Sequence, residues 1–338
     1  MTAPRGVDYV ELQVTTHFSF LRGASSVEEL FAEAALLGIK ALGITDRHSL
    51  AGIVRAHEAA EVTGVRAVIG CWLDLSDGAA LLVYPMDRAA YGRLCRLLTR
   101  GKARAGKGSC VLSWDDVAEH GEGLIAILVP DRPDALCAER LRRLAREFRD
   151  RAYLALSLRR RPGDQLRLHE LSNMAAVMRI ATVATNDVLF HSPERRILQD
   201  VVTCIREGVT IDDAGFRRER HADRHLKRPE EMARLFARWP EAVARSIEVA
   251  DRVRFSLDDL AYQYPDEASE PGLTAQQTLT RLTREGAVHC AHGFWVRGPR
   301  PRPGTRSKFK SSHYRISRHA SRNHCILQAR RSTFQASL

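Results

Sequence analysis

The sequence predicts an α/β protein whose parallel strands close into a barrel, and three observations carry that prediction. Strand-like and helix-like segments alternate about seven times over roughly the first 200 residues, the pattern of a parallel sheet with crossover helices. The strand segments are short and apolar, as in strands buried on both faces. The first two helical segments end on glycines, Gly38 and Gly64, which supply the left-handed turn back to the next strand. Seven such units favour a closed barrel over an open sheet.

Tyr9–Thr15 reads as the first strand. Ser26 and Glu29 form a capping box at the start of a helix whose Val27, Leu30, Phe31 and Ala34 make one buried stripe. Lys40–Thr45 is the second strand and delivers Asp46 just past its carboxyl end, where α/β folds collect their chemistry. Ser49 is read as the cap of a second helix running to about Val62, and Arg66–Gly70 as the third strand. Leu81–Tyr84 is the fourth strand, followed by a helix over Asp87–Leu98 and a flexible basic loop, Gly101–Gly108. Trp114–Glu119 is a short helix, Leu124–Val129 a buried strand, and Pro133–Arg149 a long Arg-rich helix. Tyr153–Ser157 and Ile180–Ala184 are strands flanking a helix over Asp164–Met178, and Pro193 opens a helix through Ile205.

Residues 209–285 change character, with helices over Pro229–Ala237 and Glu241–Arg252, a Tyr262–Pro265 turn and a helix near Thr274–Arg284. After Gly286 there is no apolar period and no carboxylate, and the composition predicts disorder. The domain reading is therefore a barrel over 9–208, an accessory helical segment over 209–285 and a basic tail over 286–338.

The net charge of +11 belongs to that tail: 11 Lys and Arg follow Glu285, the last acidic residue, and the remaining 41 basic residues match the 41 acidic ones. No run approaches the ~18 apolar residues of a membrane span, and no secretory signal is visible at the N-terminus. Seven scattered cysteines without a CxxC pair point to reduced thiols and a cytoplasmic protein, with no membrane partner.

Three stretches, in order and spacing, carry a resemblance. They are Ser19–Ser25 (SFLRGAS) followed by Gly38–Asp46 (GIKALGITD), Gly64–Gly70 (GVRAVIG), and Ala184–Val188 (ATNDV) with Leu198–Arg206 (LQDVVTCIR). Over about Tyr9–Arg284 the chain resembles the N-terminal PHP (polymerase and histidinol phosphatase) domain of bacterial C-family DNA polymerases, the replicative polymerase III alpha subunit and its error-prone relative, with wording closer to the error-prone branch. The resemblance implies a distorted seven-stranded (β/α) barrel beside a polymerase palm and thumb lying beyond this chain. It implies DNA and other replisome or mutasome proteins as partners of the whole enzyme in replication or lesion-tolerant repair, and Mg²⁺ for nucleotidyl transfer.

Hydrolytic PHP barrels hold metal ions through His, Asp and Glu, and a two-metal site can make hydroxide and stabilise a phosphoester displacement. Where the family pattern has His-x-His, this chain reads Glu11-Leu12-Gln13; Asp-His becomes Asp46-Arg47; a Glu becomes Trp72; Asp-x-His becomes Asp187-Val188-Leu189. Asp46 and Asp187 survive, with Glu11 as a third carboxylate, and these three are read as a vestigial metal site. Transition metals favour imidazole nitrogen, so Zn²⁺ or Mn²⁺ is expected only if the site is functional, no cofactor is expected in this chain, and Asp46 and Asp187 are expected to pair with Arg47 or cap helices. His17, His48, His57 and His191 offer a relocated site as the alternative.

No GxSxG, GxGxxG or GxxxxGK[ST] occurs. The GKARAGKG stretch lacks the strand-to-helix setting that gives glycine loops their phosphate grip, and the Arg159–Arg161 run is either a nucleic-acid contact of the larger enzyme or a solvated face. The tail's cations could bind phosphates by counterion release and its Phe294, Trp295, Phe309 and Tyr314 could stack on bases; the preferred reading is out-of-frame translation of a GC-rich gene. The functional expectation is a PHP portion of an error-prone DNA polymerase in a scaffold role, without polymerase catalytic residues. The rivals are a free-standing metal-dependent phosphoesterase or exonuclease, and a basic nucleic-acid-binding protein acting through its tail.

Overall fold

The computed structural model describes residues 8–219, 221–260 and 271–296, with side chains described up to 288. It divides into two compact units, 1–261 and 262–338.

In the first unit the chain runs β1 (Glu11–Val14), α1 (Val27–Leu37), β2 (Ala41–Ile44), α2 (Ile53–Thr63), β3 (Arg66–Ile69), β4 (Cys71–Asp74) and β5 (Ala80–Pro85). It continues α3 (Arg88–Arg104), α4 (Trp114–His120), β6 (Leu124–Leu128), α5 (Ala135–Phe148), β7 (Ala152–Leu156), α6 (Asp164–Val177) and β8 (Ala181–Ala184). Last come α7 (Arg196–Glu207), α8 (Pro229–Leu235) and α9 (Pro240–Arg252). Helix α1 begins as its sequence requires: Ser26 Oγ accepts from Glu29 N and the Glu29 carboxylate accepts from Ser26 N, while Gly38 closes the helix at φ 75°.

The strands form two sheets. In the first, β1, β2 and β3 are parallel, with Leu42 opposite Glu11 and Val68 opposite Gly43. In the second the order is β4-β5-β6-β7-β8, antiparallel across β4/β5 and β5/β6 and parallel across β6/β7 and β7/β8. No closed ladder is found among the described residues, where the strands of the expected barrel divide between these two sheets. The departure begins at Gly70, where one extended run passes from β3 into β4 and changes sheets. A side chain at Gly70 would meet the Tyr84 ring at 2.6 Å, so the bend needs glycine.

Alternate strand residues feed two cores. Leu12, Leu82, Tyr84, Ile125, Ile127, Tyr153 and Ala155 share one cluster between the sheets. Leu81, Val83, Leu124, Ala126, Leu154 and Leu156 share another with the helical Leu94, Leu97, Leu144 and Leu171. Period-two burial on both faces is what a covered sheet demands. Helix α9 closes the interior at the strands' starting ends: Val249 and Ala250 join the inner cluster, Val10 N donates to Ser246 Oγ, and Arg245 donates to the Thr182 carbonyl. The opposite, carboxyl-end rim is left as the open face.

Further corrections are local. Strand β4 (Cys71–Asp74) has no counterpart among the expected strands. Ser49 does not cap α2; its Oγ accepts from Ala51 N and the helix starts after Gly52 without a side-chain cap. Helix α3 runs through Gly101 to Arg104, absorbing half of the expected loop, because a side chain at Gly101 would meet Cys110 Sγ at 2.5 Å and glycine lets that segment pack close.

In the second unit, α10 spans Ala275–Val296, and Thr274 and Gln277 exchange capping bonds at its start. The expected loss of structure at Gly286 is overturned for 286–296, which continue the helix. The Tyr262–Pro265 turn and residues 297–338 lie outside the described residues. No helix among the described residues is long and apolar enough to cross a membrane.

Candidate functional site at the strand ends

Asp46 follows β2 and is 1% exposed. Its Oδ1 accepts from Thr16 N at 2.9 Å and Ser19 Oγ at 2.7 Å, and its Oδ2 accepts from Thr16 Oγ1 at 2.8 Å. Burial pushes its pKa up despite these donors. The donors all belong to the loop after β1, so Asp46 ties that loop to the end of β2. Ser19 Oγ passes the connection on by accepting from Arg47 N.

Glu11 is also buried. Its oxygens accept from Tyr9 Oη at 2.8 Å, Gln13 N at 2.8 Å and Asn186 N at 2.9 Å. Burial dominates and carries its pKa from the ordinary 4.5 to about 7, with the nearby Asp187 charge adding to the rise. Thr185 Oγ1 donates to Gln13 Oε1 beside it, and Val188 pairs with Val14 in an isolated bridge. Glu11 and Asp187 are thereby neighbours across the seam between β1 and the segment after β8.

Asp187 sits at φ 50°, a strained position for a side-chain-bearing residue. Its Oδ2 pairs with Arg224 at 2.5 Å, and Arg224 Nε donates to the Asp187 carbonyl. Arg224 reaches Glu219 as well, so one guanidinium braces the loop after β8 against the 219–224 segment. The Asp187 pairing is with Arg224, not with Arg47. Arg47 instead lies over Trp72, 4.0 Å from the ring centre, and binds both Asp74 oxygens. Burial would raise the Asp74 pKa, but the His48 contact and then Arg47 hold its carboxyl well below the usual carboxylate range.

A metal has little to bind here. Of the six oxygens of Glu11, Asp46 and Asp187, five accept hydrogen bonds or ion pairs from the chain itself, and Asp187 Oδ1 alone is buried without a partner among the described residues. Tetrahedral Zn²⁺ needs about three or four protein ligands, and no imidazole joins this set, so these residues do not fit the ion the fold family implies. The four histidines do not converge. His17 Nδ1 faces the Ser25 carbonyl, His48 accepts from Asp74 N, and His191 contacts Ser25 Oγ. His57 meets Glu61 and Asp258, forming a mostly exposed triplet whose ligand atoms lie within 4.8 Å.

Sequence reasoning missed two features. Asp74 and Arg224 are the partners that consume Arg47 and Asp187, from 27 and 37 residues away, and no local pattern announces them. The Arg159–Arg161 run is spent on carboxylates: Arg159 and Arg161 on Asp131, Arg160 on Asp223.

Residues 11–156 match the family model described as "PHP domain". The chain is 68% identical over 285 residues to error-prone DNA polymerase 1 of Agrobacterium fabrum, covering 84% of this chain and 26% of that protein. It is 66% identical over 278 residues to error-prone DNA polymerase 2 of Rhizobium meliloti, covering 82% and 26%, and 53% identical over 282 residues to error-prone DNA polymerase of Caulobacter vibrioides, covering 83% and 26%. The chain thus spans about a quarter of the length of the curated relatives it matches.

Proposed function

We propose, for a chain that carries a PHP domain and belongs with the error-prone DNA polymerases, that this domain is a scaffold whose hydrolytic metal centre has been rebuilt as internal bracing. The observation that carries the reading is the engagement of five of six carboxylate oxygens by the chain's own donors. Asp46 fastens the loop after β1, Glu11 fastens the seam beside β8, and Asp187 fastens the 219–224 segment. Glu11, Asp46 and Asp187 are vestiges of ligands, and no Zn²⁺ or Mn²⁺ chemistry is assigned to them.

The frame is read as a distorted barrel. Support comes from the Val14–Val188 bridge, which joins β1 to the strand-end segment after β8, and the Arg47–Trp72 bridge, which joins the end of β2 to β4; together they span both gaps between the sheets. We read the barrel strands and helices as 9–208 and the accessory segment as 209–285, with α9 of that segment packed on the strands as the plug of the barrel floor. Nucleotidyl transfer with Mg²⁺, DNA as substrate, partner proteins of replication or repair and a cytoplasmic setting are assigned to the whole polymerase. Contact with its further domains is placed on α7, whose Ile197 is 78% and Ile205 60% exposed.

Phosphodiesterase assay of the full chain on a nitrophenyl phosphodiester, with Mn²⁺ or Zn²⁺ added, tests the scaffold reading. Hydrolysis at the uncatalysed rate is expected with either ion. Metal-stimulated turnover that Asp187→Asn abolishes would replace the scaffold with the free-standing phosphoesterase or exonuclease.

A further inference from the structure

Beside the braced carboxylates the rim opens into a cavity of about 660 Å³ with a different character. Phe18, Phe20, Arg22, Arg47, Lys102 and Lys107 line it, and its one carboxylate, Asp74, is already engaged. Four cations therefore face one carboxylate that Arg47, His48 and Trp72 share. The side chains of Arg22, Lys102 and Lys107 make no hydrogen bond or ion pair among the described residues. Partial burial first, and then the charges of Arg47 and Arg206, hold the Arg22 pKa below its ordinary value. Like charges crowded at a half-buried rim repel one another, and an anion seated among them relieves that repulsion.

The wall is held rigidly. Asp46 fixes Thr16 and Ser19, Arg22 N donates to the Ser19 carbonyl, and Leu21 is fixed at φ 58°. The loop so clamped carries Arg22 inward and Phe20 outward, with Phe20 83% exposed. The opposite wall is the last turn of α3, which bears Lys102, and the glycine loop after it, which turns at Gly108 with φ 84° and bears Lys107. An exposed aromatic ring next to unpaired cations in a groove is the combination that holds single-stranded nucleic acid, with bases on the ring and phosphates on the cations.

We propose that this cavity binds the phosphate backbone of a single-stranded nucleic acid without cleaving it, one base stacking on Phe20 and the phosphates lying among Arg22, Lys102 and Lys107. The inference goes beyond scaffolding and does not depend on the remaining domains of a polymerase. A retired hydrolase mouth becomes a strand-holding groove.

Fluorescence anisotropy of a labelled oligothymidylate with the full chain tests the assignment, and because 11 further cations follow Glu285, each variant is compared with a control lacking two distant exposed cations, Arg132→Ala with Arg146→Ala. Lys102→Ala with Lys107→Ala is expected to weaken binding about tenfold and flatten the dependence of log K on log[salt] by about 1.4, at ~0.7 per lost single-strand phosphate contact. Arg22→Ala adds to that loss, and Phe20→Ala weakens binding about tenfold with the salt slope unchanged, since stacking releases no counterions. Equal affinity in the lysine pair variant and the control overturns the proposal. So does full displacement by inorganic pyrophosphate combined with an unchanged Phe20→Ala, which would make the cavity a free-anion pocket. The lysines are exposed, Lys102 on the last turn of α3 and Lys107 on the loop after it, so their variant folds even if Arg22→Ala does not, and a thermal melt identifies that case.

Discussion

The carboxylates and the cations at the strand ends are neighbours with opposite fates. Glu11, Asp46 and Asp187 are buried or nearly so and almost wholly consumed by Thr16, Ser19, Tyr9, Gln13, Asn186 and Arg224. Arg22, Lys102 and Lys107 stand at the rim, and their side chains make no hydrogen bond or ion pair among the described residues. A buried charge survives only with partners, and these carboxylates have protein donors; cations at the rim keep water and need none. The inner set therefore bears on stability and the outer set on binding.

Substitution separates the two. Asp46→Ala orphans Thr16 N, Thr16 Oγ1 and Ser19 Oγ, all buried, and at about 1–3 kcal/mol for each unsatisfied donor the expected loss is on the order of 4 kcal/mol in urea unfolding. A loss below about 1 kcal/mol would mean that the loop after β1 does not lean on this carboxylate.

Glu11 gives the next largest effect and a pH signature. Its folded pKa of about 7 lies above the ordinary 4.5, so the folded chain keeps a proton that the unfolded chain releases. The linked stability is present below about pH 4.5 and is lost as pH rises through 7, up to about 3 kcal/mol in all. Glu11→Gln removes that decline, and the variant's stability at pH 5 and pH 8 should differ by correspondingly less. An identical pH slope in both proteins would contradict the assignment.

Arg224→Met strips the brace from Asp187 and Glu219 and is expected to cost about 2 kcal/mol, because a partly buried carboxylate is left uncompensated. Asp187→Asn should cost less, since it removes the charge that needed pairing. The reverse order would show that the guanidinium is the burden. Ser26→Ala marks the small end of the scale, at about 1 kcal/mol for one lost cap, read as a shift in the urea midpoint with no change in oligonucleotide affinity.

Much of this frame is written locally. Ser26, Glu29 and Gly38 determine both ends of α1 within a dozen residues, and the short apolar runs at Ala41–Ile44, Leu124–Leu128 and Ala152–Leu156 allow little but buried strand. Strand β4 was not legible because Arg66–Asp74 is one extended run, and only its partners, β2 on one side and β5 on the other, divide it at Gly70. The same limit applies to the site. Asp46 and Asp187 were visible from their place after strands, while Asp74 and Arg224, which decide what Arg47 and Asp187 do, come from distant parts of the chain. The glycine loop after α3 read as solvated from sequence, and only the fold brings it opposite Phe20 and Arg22.

Manganese titration followed by electron paramagnetic resonance tests the central claim most directly, using the wild type, Asp46→Asn with Asp187→Asn, and His57→Ala to silence the exposed triplet. The account predicts no stoichiometric Mn²⁺ binding that depends on Asp46 and Asp187, with any weak uptake removed by His57→Ala. One tightly held Mn²⁺ per chain that persists in His57→Ala and vanishes in the double asparagine variant would contradict it.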